Sequence, residues 1–317
     1  MFDRRHFLSL AGSALVAPVV SARAQTGWAP DRPITLVVGF QAGGGTDVTA
    51  RAVAQAAEGV APVPVVVVNR PGAAGAIAAE FVARAEPDGY TMLVGGGSES
   101  TTLPHYNRLN YKLEDFRGIA RVNREHMVLV TYAKGGINSV AELVRRAKAE
   151  PGKLTYGSSG QGGILHAAFQ ALEKTAGIQM THVAYRGGAH ALQDVLGGRL
   201  DMTLLTPAEA KNQADAGNVF ILATTSNRSG ILPDTPSLTE AGVPVNIENM
   251  KGLMISARTP APIIAYHDAL FARVLQSDRM KELAQRTNLD LAYLDGAGFM
   301  KAMEDTSKAV LAAKGDS

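Results

Sequence analysis

Phe40-Gln41-Ala42-Gly43-Gly44-Gly45-Thr46-Asp47 joins a β-branched run at residues 34–40 to an alanine-rich helical stretch over about 46–58. Consecutive glycines let the backbone adopt conformations other residues avoid, so that N–H groups can converge on one point. The helix that follows adds its unpaired N–H groups and the positive end of its dipole. Such a loop can hold an anion without any charged side chain. It is not a nucleotide fingerprint, because G-x-G-x-x-G would need glycine where Val48 stands, and no G-x-x-x-x-G-K-S/T occurs. Standing alone, it reads first as a tight strand-to-helix turn with no ligand.

The pattern extends outward in both directions. Residues 63–68 form a near-continuous apolar run, as expected for a strand buried on both faces. A helical stretch at 76–85 leads to a strand at 90–94 that ends in Gly95-Gly96-Gly97. This β-α-β-α-β order predicts a parallel sheet with helices on both faces. A second set starts near Met127, with a strand at 128–132 and a capping box, Ser139-Val140-Ala141-Glu142, that opens a helix stopped by Pro151-Gly152. Strands at 154–157, 181–184, 200–205 and 219–224 then alternate with helices at 164–176, at 189–196 and from Ala208. A strand at 252–256 precedes three helices at 262–276, 279–287 and 297–312, with no strand between the last two. The expected fold is α/β and two-lobed, each lobe a mostly parallel sheet flanked by helices. Lobe one is placed at 27–127 plus 247–317 and lobe two at 128–246. Two crossings between lobes make a hinge and a cleft, and open α/β sheets bind ligands at the carboxyl ends of their strands.

Composition narrows the classes of function. The 317 residues are 46% apolar and 19% charged, which suits a soluble protein with two medium cores. Cysteine is absent, excluding disulfides, thiolate catalysis and cysteine-ligated metals. At the N-terminus, Arg4-Arg5 precede an uncharged apolar stretch over 7–20, and Ala22-Arg23-Ala24 supplies a small-x-small cleavage pattern. Residues 1–24 therefore read as an export signal, and residues 3–9 also fit the twin-arginine type; either route leads out of the cytoplasm, to the periplasm. Without that segment the chain holds as many acidic as basic side chains, so nucleic acid is not an expected partner.

A second glycine loop, Tyr156-Gly157-Ser158-Ser159-Gly160-Gln161-Gly162-Gly163, again joins a strand to a helix, now in lobe two. Two such loops on opposite lobes could grip one anion from both sides, making closure ligand-dependent. Together with the export signal, several segments resemble the Bug-type solute receptors, the periplasmic binding components of tripartite tricarboxylate transporters. They include Pro33-Ile34, Gly43-Gly44-x-Thr46-Asp47, Asn69-Arg70-Pro71-Gly72 and Pro87-Asp88-Gly89-Tyr90-Thr91. Further on come Pro151-Gly152-Lys153-Leu154-Thr155-Tyr156-Gly157-Ser158 leading to His166, Tyr185-x-Gly187-Gly188, Leu196-Gly197-Gly198 with Asp201, and Leu232-Pro233-Asp234-Thr235-Pro236 with Glu240-Ala241-Gly242. The matches keep order and spacing from about residue 30 to 260. The resemblance implies a type II periplasmic-binding-protein fold, no catalysis and no cofactor. It also implies a monomer that hands a small carboxylate to the membrane subunits of a transporter. Family ligands range from di- and tricarboxylates to aromatic acids. Here Gln41-Ala42 replace a usual pair of prolines, Gly163 a common hydroxyl, Leu205 a frequent acid, and Met250-Lys251 an aromatic-rich pair.

The candidate ligand-binding residues follow from the two loops: Gly43, Gly44, Gly45, Thr46 and Asp47 on one side, and Ser158, Ser159, Gly160, Gly162, Gly163 and His166 on the other. Asp47 reads equally as a ligand contact and as a helix cap, the latter worth about 1 kcal/mol. Of Ser158 and Ser159, one donates to the anion and the other caps the helix. His166 reads first as a structural hydrogen-bond partner, and Tyr185 as a residue that closes the cleft. Ser98 and Thr101 after the third strand, and Thr206 after the strand at 200–205, are candidates for the remainder of the ligand. Lys251 would offer a second carboxylate a point charge if it faced the cleft rather than solvent. An enzyme is the main rival class, yet no G-x-S-x-G or H-E-x-x-H occurs, and Ser158 and His166 are poorly spaced to face each other. A subunit that presents its ligand to a membrane sensor kinase would use the same binding chemistry.

Overall fold

A computed structural model describes residues 27–158, 160–185 and 188–314. The export segment read at 1–24 and the candidate Ser159 lie outside them. In chain order the elements are β1 (Ile34–Val38), α1 (Gly45–Ala56), β2 (Val65–Asn69), α2 (Ala76–Arg84), β3 (Thr91–Gly95), α3 (Ser98–Thr101), α4 (Leu103–Tyr106) and β4 (Phe116–Glu125). Next come β5 (Val128–Tyr132), α5 (Val140–Ala149), β6 (Thr155–Ser158), α6 (Ile164–Ala176), β7 (Thr181–Ala184), α7 (Gly188–Leu196), β8 (Met202–Leu205), α8 (Pro207–Asp215) and β9 (Val219–Thr224). The chain then returns through β10 (Asn249–Ser256), α9 (Ala261–Gln276), α10 (Asp278–Thr287), β11 (Asp290–Asp295) and α11 (Gly296–Ala313).

These strands make two sheets flanked by helices, ordered β11-β4-β10-β3-β1-β2 and β7-β6-β8-β5-β9. β1 is covered on both faces: Ile34, Leu36 and Val38 pack on one side with α1, and Val37 packs on the other with α2. The helix α1 can lie close because its buried stripe, Thr49, Ala50, Ala52, Val53 and Ala56, is made of small residues at helical spacing. In the second sheet α6 does the same with Ile164, Ala167, Ala168, Ala171 and Leu172.

Both sheets follow one plan. In each, the strand second from one edge leads through a glycine loop into a helix, β1 in one and β6 in the other. The next strand lies on its outer side (β2, β7), and the one after that on its inner side (β3, β8). The expectation of mostly parallel sheets needs correction, because both are mixed. β1 runs parallel to β2 and β3, and β6 to β7 and β8. β10 and β11, like β5 with its two neighbours, pair antiparallel. Parallel neighbours require a crossover connection between them, as the helices α1, α2, α6 and α7 provide, whereas β4 and β10 are the strands by which the chain leaves and re-enters the first sheet.

Three further expectations change. The run at 63–68 becomes an edge strand, β2, with Val66 and Val68 each 39% exposed, instead of one buried on both faces. The ten-residue β4 was not foreseen, nor was β11, which separates the last two helices and pairs with β4 at the opposite edge. The last helix also serves both sheets. Phe299 and Met303 of α11 pack in the first core, while Val310 and Ala313 pack in the second.

Candidate functional site

The first glycine loop is held by Asp47. Its carboxylate accepts from the Gly43 amide (2.9 Å), from Arg51 Nε (2.8 Å) and from Asn69 Nδ2 (2.8 Å). The Arg51 hydrogen bonds, opposed by burial, bring its pKa down to about 2. With Asp47 turned back into the loop, the N-cap of α1 is Gly44, which offers no side-chain cap. The first amides of α1, at Gly45 and Thr46, are therefore left for whatever enters the space in front of them. That space is tight: a Cβ on Gly45 would come 2.9 Å from Glu125 Oε1 and 3.0 Å from Lys251 Nζ.

The second loop is anchored differently. Ser158 Oγ lies 2.7 Å from His182 Nε2 and donates to the Gly160 carbonyl at 3.1 Å. His166 accepts from the Gly162 amide through Nδ1 at 3.3 Å, so its ring serves as a neutral acceptor, and burial lowers its pKa to about 4. The Ser158–His166 pairing weighed from the sequence is thus replaced by Ser158–His182. Gly163 caps α6 without a side chain, and the Ile164 amide donates to Ser98 Oγ across the two lobes at 3.2 Å. Tyr185 Oη donates to Asp194 at 2.7 Å.

Between the sheets lies a cavity of about 620 Å³. Of the candidate ligand-binding residues on the two loops and strand ends, Gly44, Gly45, Thr46, Ser98 and Thr206 line it. The second loop contributes through the helix start that follows it, Ile164 and Leu165. Gly43, Asp47, Ser158, Gly160, Gly162, Gly163, His166 and Tyr185 are not among its lining residues. Thr101 is likewise turned inward, donating to the Gly97 carbonyl at 2.8 Å. Thr206 caps α8 in a reciprocal capping box with Glu209.

Lys251 does face the cavity, but as one half of a pair. Its Nζ is 2.7 Å from Glu125 Oε1, and Asn249 Nδ2 donates to the other carboxylate oxygen. Glu99, Glu125 and Asn249 escaped the sequence reading. Glu99 is 2% exposed, and its Oε1 accepts from the amides of Gly96 (2.7 Å) and Gly97 (3.1 Å) and from Ser100 Oγ (2.9 Å). Burial pushes this carboxyl up against the opposing pull of those donors. The available signal was its place beside Ser98, after the three glycines that end a central strand.

Residues 49–313 match the profile described as the tripartite tricarboxylate transporter family receptor. A Cupriavidus necator protein, designated the UPF0065 protein in gbd 5′ region, is 32% identical over 314 residues, spanning 96% of this chain and 95% of its own. A TctC solute binding protein from Polaromonas, solved with no ligand, superposes with a TM-score of 0.77 at 30% identity, covering 90% of this chain and 98% of its own. An R. palustris protein solved with adipate gives a TM-score of 0.76 at 27% identity, covering 90% and 97%. The chain belongs to the tripartite tricarboxylate transporter receptor family, the Bug-type solute-binding receptors.

Proposed function

We propose that the protein is an exported, non-catalytic receptor that closes over a small carboxylate and delivers it to the membrane subunits of a tripartite tricarboxylate-type transporter. The observation that carries this reading is the pair of helix starts, α1 and α6. They occupy equivalent places in two like-ordered sheets, each has a glycine N-cap that offers no side chain, and residues of both border one cavity. Converging helix N-termini favour an anion through their dipole ends and first-turn amides, of which Ile164 already donates to Ser98. A ligand touching both lobes binds the closed form better than the open one, and that difference drives closure. The adipate of the R. palustris relative supports the ligand class. Against an enzyme stands the placing of Ser158 and His182, which pair outside the cavity lining with the serine fully buried.

A thermal-shift screen of the protein without residues 1–24, over mono-, di- and tricarboxylates and aromatic acids, tests the reading. Saturable stabilisation without product is expected. Absence of any shift, or turnover of the bound acid, would overturn it. For export, fractionation of cells expressing an Arg4→Lys/Arg5→Lys chain should show retained precursor if the twin-arginine route is used; normal export assigns the general route.

A further inference from the structure

The carboxylate reading leaves open what else the ligand carries, and the cavity wall bears on that. Lys251 is the one lysine or arginine among the described lining residues, and it is held by Glu125 at 2.7 Å. His126 is also engaged, with Asp290 at 3.0 Å and Ser226 at 3.3 Å. The same wall holds three carboxyls, Glu99, Glu125 and Glu209. Among the described lining residues, a second ligand carboxylate would meet three carboxyls and one lysine already paired with Glu125, and like charges at close range disfavour the ionised form. The remaining surface is largely apolar, with Phe40, Val94, Met127, Leu204 and Leu205.

Glu99 stands out within it. The donors from Gly96, Gly97 and Ser100 all converge on its Oε1, which leaves Oε2 as the oxygen turned away from them. Oε2 lies on the side of Gly75, where a Cβ would come within 3.2 Å of it, so the absence of a side chain there keeps the oxygen uncovered. Glu99 lines the cavity while its side chain is otherwise enclosed, so a ligand that displaces water there must supply a donor to this acceptor or leave it unpaired. We infer that the ligand is a monocarboxylate with an apolar body and a hydrogen-bond donor, an ammonium, hydroxyl or amide N–H, and that Glu99 Oε2 receives this donor and discriminates against dicarboxylates.

The inference rests on the carboxylate reading, and the test separates the two. Affinities are measured by calorimetry near neutral pH for two matched sets of probes. One is hexanoate, its ω-hydroxy and ω-amino derivatives, and adipate. The other is benzoate, para-hydroxybenzoate, para-aminomethylbenzoate and terephthalate. In the set that binds, the donor-bearing acids should bind at least about tenfold more tightly than the plain acid, and the dicarboxylate most weakly. Glu99→Gln keeps an oxygen for the Gly96, Gly97 and Ser100 donors but replaces the free acceptor with an NH2 group. It should collapse that preference and improve dicarboxylate binding. Wild-type protein that binds the dicarboxylate best, or shows no preference for a donor, overturns the inference while sparing the carboxylate reading. So does an unchanged order in Glu99→Gln. If no acid in either set binds, both fall. The wild-type ranking stands as a test even if the variant does not fold.

Discussion

Asp47 and Glu99 are both almost fully buried carboxyls, yet their surroundings act on them in opposite directions. Asp47 meets Arg51, Asn69 and the Gly43 amide, and its pKa falls from 3.8 to about 2. A depressed carboxyl contributes stability that is present in full above its unfolded value and is lost as pH falls through the folded one. Asp47→Ala should therefore destabilise the protein by about 2 kcal/mol near neutral pH. In urea melts, the gap to the wild type should close as pH drops from 3.8 towards about 2; a gap independent of pH would refute the assignment. For Glu99 the sign reverses. Burial raises its pKa above 4.5, so its contribution is complete below that value and declines as pH rises through the folded pKa. Glu99→Gln should gain thermal stability relative to the wild type with rising pH, and a flat difference would contradict this. Only one of these two residues could be found from the sequence. Asp47 sits in a glycine motif, whereas Ser98-Glu99-Ser100-Thr101-Thr102 has the composition of a solvated turn. Its burial follows from packing under Tyr111, whose hydroxyl donates to the Glu99 carbonyl from twelve residues away.

At the scale of elements, strands that alternate with helices were legible because their apolar runs end in glycine loops or caps. β4 was not, since Arg117, Arg121, Asn123, Arg124 and Glu125 interrupt its buried Phe116, Ile119, Ala120 and Val122. Those polar residues are accommodated by neighbours far along the chain: Arg121 donates to the Ala292 carbonyl and Arg124 pairs with Asp290, both on β11. Each strand masks the other in the sequence, and only their pairing shows why they form. The second glycine loop shows a similar limit. Gly162 has φ +76°, and a Cβ there would come 2.9 Å from Tyr106 Cβ, so packing against α4 is enough to require glycine. Gly162→Ala should cost about 2 kcal/mol from backbone strain and crowding together, read by chemical denaturation. A neutral substitution would mean that Tyr106 does not press on this loop.

For the whole molecule, the two-lobed plan followed from the order of elements, but the ties between lobes did not. Tyr106 belongs to α4, between two strands of the first sheet, yet it packs against the second core. It stacks edge-on with His166 at 5.8 Å and hydrogen-bonds Gln170 of α6. The far half of α11 adds a second tie, because Lys174 of α6 donates to the Ala312 carbonyl at 2.7 Å. Neither contact lies in the cavity, so both bear on how often the lobes meet rather than on what they hold. Affinity in such a receptor scales with the fraction of molecules already in the binding-competent arrangement. Tyr106→Ala should therefore weaken binding of every acid by one common factor, roughly threefold to tenfold for a contact of about 1 kcal/mol. The ranking among acids should not move. Small-angle scattering of the ligand-free variant should show a larger radius of gyration, with the wild-type value restored at saturating ligand. A change confined to some acids would instead place Tyr106 in the recognition surface. Unaltered affinity and scattering would mean that the lobes meet without its help.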